Sequence, residues 1–283
     1  MPPRILYKFR SWNDQNHKRL ITRREIFFAS PRSFNDPFDC RIPIQFLGAS
    51  KPDIKRVLRE SSKKRHPNLN REQRARMVDR EYQDYKQRSK NPAFRDQAEE
   101  KYLNGVFSTF GVFSLSETYD NILLWSHYAD GHQGYCVGFD AAQLKKAVAK
   151  KLHFASERER SELLQVRYQQ DYPVLNAFDA RVEPIELLNT SLTVKSKVWQ
   201  YEQEWRLIII YATNKTVTLP QGVIVKVILG AWMPDEARQA LKGELAKKDE
   251  EIEILQARLR RDSFGLDFGP TDDVRLWGNR NRG

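Results

Sequence analysis

Residues Trp199–Tyr211 read WQYEQEWRLIIIY. The Ile, Leu, Trp and Tyr of the second half favour a β-strand. Alternate residues of a strand share a face. A strand through this stretch therefore puts Glu202, Glu204 and Arg206 on one side and Tyr201, Gln203 and Trp205 on the other. Two carboxylates at i and i+2 then stand about 7 Å apart, flanked by aromatic rings and anchored by an aliphatic tail. One reading makes them rim charges, one of them paired with Arg206. The other makes them a catalytic carboxylate pair. The rest of the chain decides what such a pair could serve.

Working outward, the chain opens β-α-β within thirty residues: Arg4–Ser11 as a strand, Asn13–Arg23 as a helix, Glu25–Ser30 as a second strand. The loop SPRSFNDPFDC (Ser30–Cys40) carries Pro31, Pro37, Asp36 and Asp39 and reads as ordered rather than helical. A further edge strand is expected in Arg41–Phe46. Gly105–Glu117 is strand-like and places Ser114 and Ser116 on one face. Asp120–Gly134 reads as a capped helix carrying Leu123, Leu124 and His127. Strands are expected at Tyr135–Asp140, Gln165–Gln169, Gly222–Gly230 and Glu251–Leu259. Helices are expected from Ala141 to Leu152, at Arg181–Leu192 and at Pro234–Lys247. The basic tail RLWGNRNRG is expected to be loose.

Residues 51–103 differ in character. They hold 16 Lys or Arg against 9 Asp or Glu, and so +7 of the chain's net +11. Glycine is absent and three prolines separate runs of good helix formers. Two or three helices are expected, the longest over Arg71–Ser89, as a basic insertion between strands. A balance this basic points to a polyanionic partner or to a solvated face.

The 283 residues, 40% hydrophobic and 11% aromatic, suffice for a sizeable core. Two cysteines with no signal peptide ahead of the fold imply a reducing, cytoplasmic setting. No apolar run approaches the roughly 20 residues of a membrane helix, so no membrane partner is expected. There is no GxGxxG, no phosphate-binding GxxxxGK[ST], no CxxC and no HExxH. His127 and His132, with Asp130, would be a sparse metal set, and a helix-end histidine with structural hydrogen bonds is the better reading; no metal is expected.

The pieces LYKFRS (Leu6–Ser11), FASPRSFNDPFDC (Phe28–Cys40), FSLSETYDNILLWSHYADGHQGYCVGFD (Phe113–Asp140), KVWQYEQEWRLI (Lys197–Ile208) and VILG (Val227–Gly230) resemble, in order, the DUF2971 family of bacterial proteins, a name that describes no activity. The layout is also similar to ADP-ribosyltransferases of the Arg-Ser-Glu type. Those have an Arg on the first strand, a helix and strand after it, a Ser-x-Ser strand in the middle and a Glu-x-Glu strand later. Arg10, Ser114-Leu115-Ser116 and Glu202-Gln203-Glu204 occupy those places. Leu115 stands where the usual motif has Thr, and the helix WSHYADGH has no counterpart in that pattern.

This resemblance implies one α+β domain over 1–283: a split, mixed and largely antiparallel sheet around a cleft, with the helical insertion at 51–103. It implies an NAD-dependent ADP-ribosyltransferase, a toxin or phage-defence effector, with NAD as substrate and an antitoxin protein among its partners. Glu204 would stabilise the oxocarbenium-like ribose as nicotinamide leaves, and Glu202 would accept a proton from the attacking group. Arg10 would hold the pyrophosphate through its bidentate fork. Ser114 and Ser116 would hold the nicotinamide-side ribose, and Trp125, His127 or Tyr128 would meet a ring. On the arm, Lys63, Lys64, Arg65, Arg71, Arg74 and Arg76 would lie along the backbone of RNA or single-stranded DNA. Two other classes fit the same residues. One is a Mg-dependent nuclease built on Asp36, Asp39, Glu202 and Glu204. The other is a non-catalytic nucleic-acid or protein-binding module.

Overall fold

In a computed structural model the chain starts as its sequence predicts, with β1 (Ile5–Arg10), α1 (Gln15–Thr22) and β2 (Glu25–Phe28). The Asp14 carboxylate accepts the amides of Asn16 and His17 and so caps α1. Only Leu20 and Ile21 of that helix are buried. The structure describes residues 2–45, 48–152, 161–173, 175–179, 184–248 and 250–271. The tail expected to be loose lies outside these.

The strands that follow are β3 (Ile44–Gln45), β4 (Phe110–Ser116), β5 (Tyr135–Asp140), β6 (Ser161–Gln165), β7 (Arg167–Gln169), β8 (Leu175–Asn176) and β9 (Val194–Ser196). After them come β10 (Glu204–Ile210), β11 (Lys215–Thr218), β12 (Ile224–Leu229), β13 (Glu253–Leu259) and β14 (Leu266–Pro270). The helices are α2 (Lys51–Arg65), α3 (Arg71–Arg88), α4 (Pro92–Thr109), α5 (Ile122–Tyr128), α6 (Ala141–Lys151), α7 (Pro184–Thr193) and α8 (Asp235–Ala246).

The chain divides into two compact units. The sheet unit takes residues up to Ala29, Gly111–Val166 and those from Val198 on; the helical unit takes Ser30–Phe110 and Arg167–Lys197. The helical unit is thus larger than the basic stretch 51–103.

The sheet unit is built on eight strands in the order β14-β13-β12-β5-β1-β4-β10-β6. Pairing is antiparallel throughout the registered pairs except β12 with β13, which is parallel. β1 and β5 are in register along six residue pairs, whereas β1 meets β4 at Tyr7↔Ser116 alone. The sheet therefore opens between β1 and β4. Lys8 fills the opening, its Nζ donating to the Ser114 carbonyl at 2.6 Å and lying 5.2 Å from the Phe113 ring centre.

Alternation along the strands assigns every side chain to one of two faces. On the first face Leu6, Phe113, Val137, Leu207 and Val227 pack with Leu20 and Ile21 of α1, Leu144 and Val148 of α6, and Leu241 of α8. On the second, Tyr7, Phe9, Cys136, Ile228 and Ala257 pack with Leu124 and Trp125 of α5. Both cysteines are buried and neither is in a disulfide. Where β5 begins, Gly134 passes so close to β1 that a Cβ there would stand 2.2 Å from the Arg10 carbonyl oxygen.

In the helical unit α2 and α3 pair, and Asn70 with Gln73 forms a reciprocal capping box at the start of α3. β3 pairs with β8 and β7 with β9, both parallel, over a small core of Ile42, Ile44, Leu175 and Val194. Gly105–Thr109, expected in a strand, is the last turn of α4. Helical geometry there buries Val106 and Phe107 together, and β4 starts only at Phe110.

Candidate functional site

The stretch that opened the sequence reading is not one strand. Lys197–Glu202 is a 3-10 turn, Gln203 has a left-handed backbone (φ +44°), and β10 begins at Glu204. The left-handed residue breaks the alternation that would have put Glu202 and Glu204 side by side on a strand. The Gln203 carbonyl accepts the Glu117 amide, and the Glu202 carbonyl accepts the Ser116 hydroxyl at 2.7 Å. The turn is thus held against the end of β4.

The two carboxylates consequently have different surroundings. Glu204 is buried and gripped by Arg206 on the same face of β10: Nε to Oε1 at 2.8 Å and Nη2 to Oε2 at 2.9 Å. Arg206 has no exposed surface. This bidentate pair is the rim-charge pairing moved into the interior. Glu202 is equally buried, and its Oε1 accepts the Tyr128 hydroxyl of α5 at 2.7 Å.

Around Glu202 the rings stay partly open. His127 is exposed, with its ring centre 6.2 Å from Tyr128 and 6.3 Å from Tyr201; Tyr201 lies 6.0 Å from Trp199. Asn121 caps α5 and its amide also donates to the Tyr201 carbonyl. That places the helix against the turn. The arrangement offers a buried, hydrogen-bonded carboxylate beside an aromatic rim, suited to a planar or hydroxyl-bearing ligand.

The other sequence-derived residues separate by face. Ser116 registers with Tyr7, so Ser116 and Ser114 share the second face with Glu204 and Arg206. Arg10 is three residues beyond Tyr7 and stands on the first face, directly across from Tyr135. Burial lowers the Arg10 guanidinium, opposed by the nearby Tyr135 and Asp14. Arg10 therefore does not converge with Ser116 and Glu204, and the expectation of an arginine from β1 in this site is corrected. Trp125 is fully buried; its indole N–H donates to the Tyr119 carbonyl and its ring meets Phe9 edge-on at 5.2 Å. It is a core side chain, unavailable to stack on a ligand. Tyr201 and Trp199 are the partly open rings on this side instead, and aromatic clustering in WQYEQEW was the signal for them.

In the helical unit, the six arm cations are not equivalent. Lys63 pairs with Glu60 at 2.8 Å, Arg65 with Glu81 at 2.7 Å and Arg76 with Glu72 at 2.5 Å. Arg74 donates to the carbonyls of His66 and Leu69 and to the Ser62 hydroxyl, tying the α2–α3 turn together. Its role is structural. Lys64 and Arg71 have no partner among the described residues. Asp36 and Asp39 belong to this unit, Glu202 and Glu204 to the other. Among the described residues no group of three or more His, Cys, Asp or Glu side chains is placed to hold a metal ion. None of their helices is long and apolar enough to cross a membrane.

The fold is α+β with a mixed sheet. Residues 124–207 match the family described as protein of unknown function (DUF2971), a segment running from α5 to the middle of β10. It contains Tyr128, Glu202, Glu204 and Arg206 and leaves Arg10, Ser114, Ser116 and the basic helices α2 and α3 outside. No curated protein and no solved structure matches the chain.

Proposed function

We propose that the protein transfers ADP-ribose from NAD to an acceptor on single-stranded nucleic acid, acting in the cytoplasm as a defence effector. The observation that carries this reading is the Ser116–Glu202–Tyr128 constellation: a buried carboxylate, a phenol donating to it and a serine anchoring its backbone, beside open rings. Further support is that the first two motif segments lie on β1 and β4 and the third leads into β10, three neighbouring strands of a sheet that opens between the first two.

In this reading Glu202 takes the central role and Glu204 with Arg206 holds the floor of the site. The C1′–N bond of NAD breaks and its electron pair leaves on nicotinamide. Negative charge at Glu202 favours the oxocarbenium-like ribose. The acceptor oxygen or nitrogen bonds to C1′, and its proton passes to a carboxylate and then to water. Arg10 takes no part.

The test is nicotinamide release by purified protein with NAD, with and without single-stranded RNA. Turnover abolished in Glu202→Gln, with the fold retained, is expected. No nicotinamide release under either condition overturns the reading.

A further inference from the structure

The helical unit carries a cavity that the transfer reading does not use. It encloses ≈ 230 Å³ between the Ser30–Cys40 loop, the chain after β7 and β9. That is below the roughly 300–1,000 Å³ of pockets that take whole drug-sized ligands. It has room for one heteroaromatic ring system and not for a dinucleotide. Two of its walls are Phe38 and Tyr172, whose rings meet edge to face at 6.0 Å and are 60% and 48% exposed. Large aromatic rings left this open in pairs are uncommon on a surface with no use for them.

The polar side of the cavity is built rather than incidental. Lys195 lines it, buried, and pairs with buried Asp39 at 3.5 Å. Asp171 lines it as well. Asp36 is 6% exposed, and while its Oδ1 accepts the Phe38 amide, its buried Oδ2 has no hydrogen-bond partner. That oxygen is closed off from the cavity, so Asp36 acts on a ligand there through its charge rather than by contact. The Tyr172 hydroxyl is pushed up by burial and then by the charges of Asp36 and Asp39, so both carboxylates lie within electrostatic reach of this wall. Asp39 offsets the charge of Lys195, which leaves Asp171 on the cavity wall and Asp36 behind it, so the cavity disfavours an anion and favours a donor.

We propose that this cavity takes one unstacked, amino-bearing base (adenine, cytosine or guanine) of a single-stranded nucleic acid, stacked on one of the rings of Phe38 and Tyr172 with the other against its edge, and its amino group toward Asp171. The phosphates stay outside, where Lys64 and Arg71 and the exposed ion-paired cations of α2 and α3 meet them; exposed ion pairs are weak enough to exchange. Aromatic stacking and an electrostatic track are the two components of single-strand recognition. This proposal rests on the nucleic-acid part of the function proposed above and is independent of its chemistry, because binding is measured without NAD.

The experiment is fluorescence anisotropy of labelled twelve-residue RNA homopolymers with the full chain, with adenosine monophosphate as competitor. Oligo(A) and oligo(C) are expected to bind at least fivefold more tightly than oligo(U). Phe38→Ala and Tyr172→Ala, both at exposed rings, should each weaken oligo(A) binding about tenfold, the scale of one lost base stack, with the salt slope unchanged. Asp171→Asn should shrink the preference over oligo(U) while leaving oligo(U) binding as it was. Circular dichroism of each variant establishes folding, and the exposed-ring variants carry the test should Asp171→Asn fail to fold. Equal binding of all three homopolymers, or undiminished oligo(A) binding in both ring variants, overturns the proposal. Adenosine monophosphate binding as tightly as oligo(A) also overturns it, in favour of a free nucleotide. Failure of NAD turnover with base preference intact would sink the transfer reading and leave this one standing.

Discussion

Glu204→Gln keeps the shape of the side chain and removes its charge. In the folded chain that leaves the Arg206 guanidinium, with no exposed surface, without the carboxylate that engages two of its nitrogens. It also turns an amide N–H₂ toward a donor-only group, so one of the two hydrogen bonds becomes a clash of donors. Breaking a buried pair by removing one partner costs about 3–5 kcal/mol. Against the total of about 5–15 kcal/mol that holds a typical domain folded, that is a third or more. At about 2–4 °C per kcal/mol for a domain of this size, the midpoint should fall by about 6–20 °C. The assay is guanidinium and thermal denaturation of wild type, Glu204→Gln, Arg206→Gln and the double variant. The two single losses should not add, because both substitutions remove the same pair; a coupling of about 1–3 kcal/mol is expected. If both single variants lose under about 1 kcal/mol, or the losses simply sum, the pair is not the clamp described and Glu204 returns as a candidate catalytic group.

Glu202→Gln should unfold at nearly the wild-type denaturant concentration yet release nicotinamide about two to three orders of magnitude more slowly, the scale of losing one electrostatic stabiliser; Tyr128→Phe, which removes the phenol that donates to Glu202, should cost about tenfold in the same assay. His17 should make the sheet unit acid-sensitive: burial, then the Arg10 charge, lowers it from 6.5 to about 4. The unfolded chain therefore takes up the proton first, and stability falls as pH drops from about 6.5 towards 4 and is flat above. Chemical denaturation at stepped pH should show this slope flattened in His17→Gln; an unchanged slope would exclude His17 as its source. In the helical unit, Lys64→Gln with Arg71→Gln should reduce the log–log salt slope of single-strand binding by about 1.4, two phosphates' worth, without altering stability. Arg74→Gln should instead lower stability, since Arg74 holds the carbonyls of the α2–α3 turn.

Elements whose periodicity and boundaries agree were legible in the sequence. β1-α1-β2, β5 followed by α6, and β12 each fall within two or three residues of their expected ends, because apolar alternation, an Asp cap and flanking glycines point the same way there. The misreadings have local causes. Counting i and i+2 from Glu202 to Glu204 presumes an unbroken strand, and no propensity marks Gln203 as left-handed; the tertiary bonds from Ser116 and Glu117 fix the turn before it. β14 and β11 are too short and too polar to stand out from the loops around them.

Arg10 shows what sequence order alone leaves open. Its position on the first strand, ahead of a helix and a second strand, fits the transferase layout. The face it occupies depends on the register of β1, six pairs with β5 and Tyr7 against Ser116 on β4, that no spacing in the chain encodes. A slip of one residue would have turned Arg10 to the face of Glu204 and sent Tyr7 and Phe9 away from α5. The aromatic packing of Tyr7 and Phe9 with Tyr119 and Trp125 opposes that slip, so the core sets the register and the register excludes the arginine. The charge of residues 51–103 was misread in the same way. Composition counts sixteen cations but not their partners, and of the six named along the arm three are held by carboxylates and a fourth by backbone carbonyls. What remains for a polyanion is a smaller electrostatic track than +7 suggests. In the base-binding proposal, specific recognition in this unit falls to the open rings of Phe38 and Tyr172 and the carboxylate of Asp171, which net charge could not reveal.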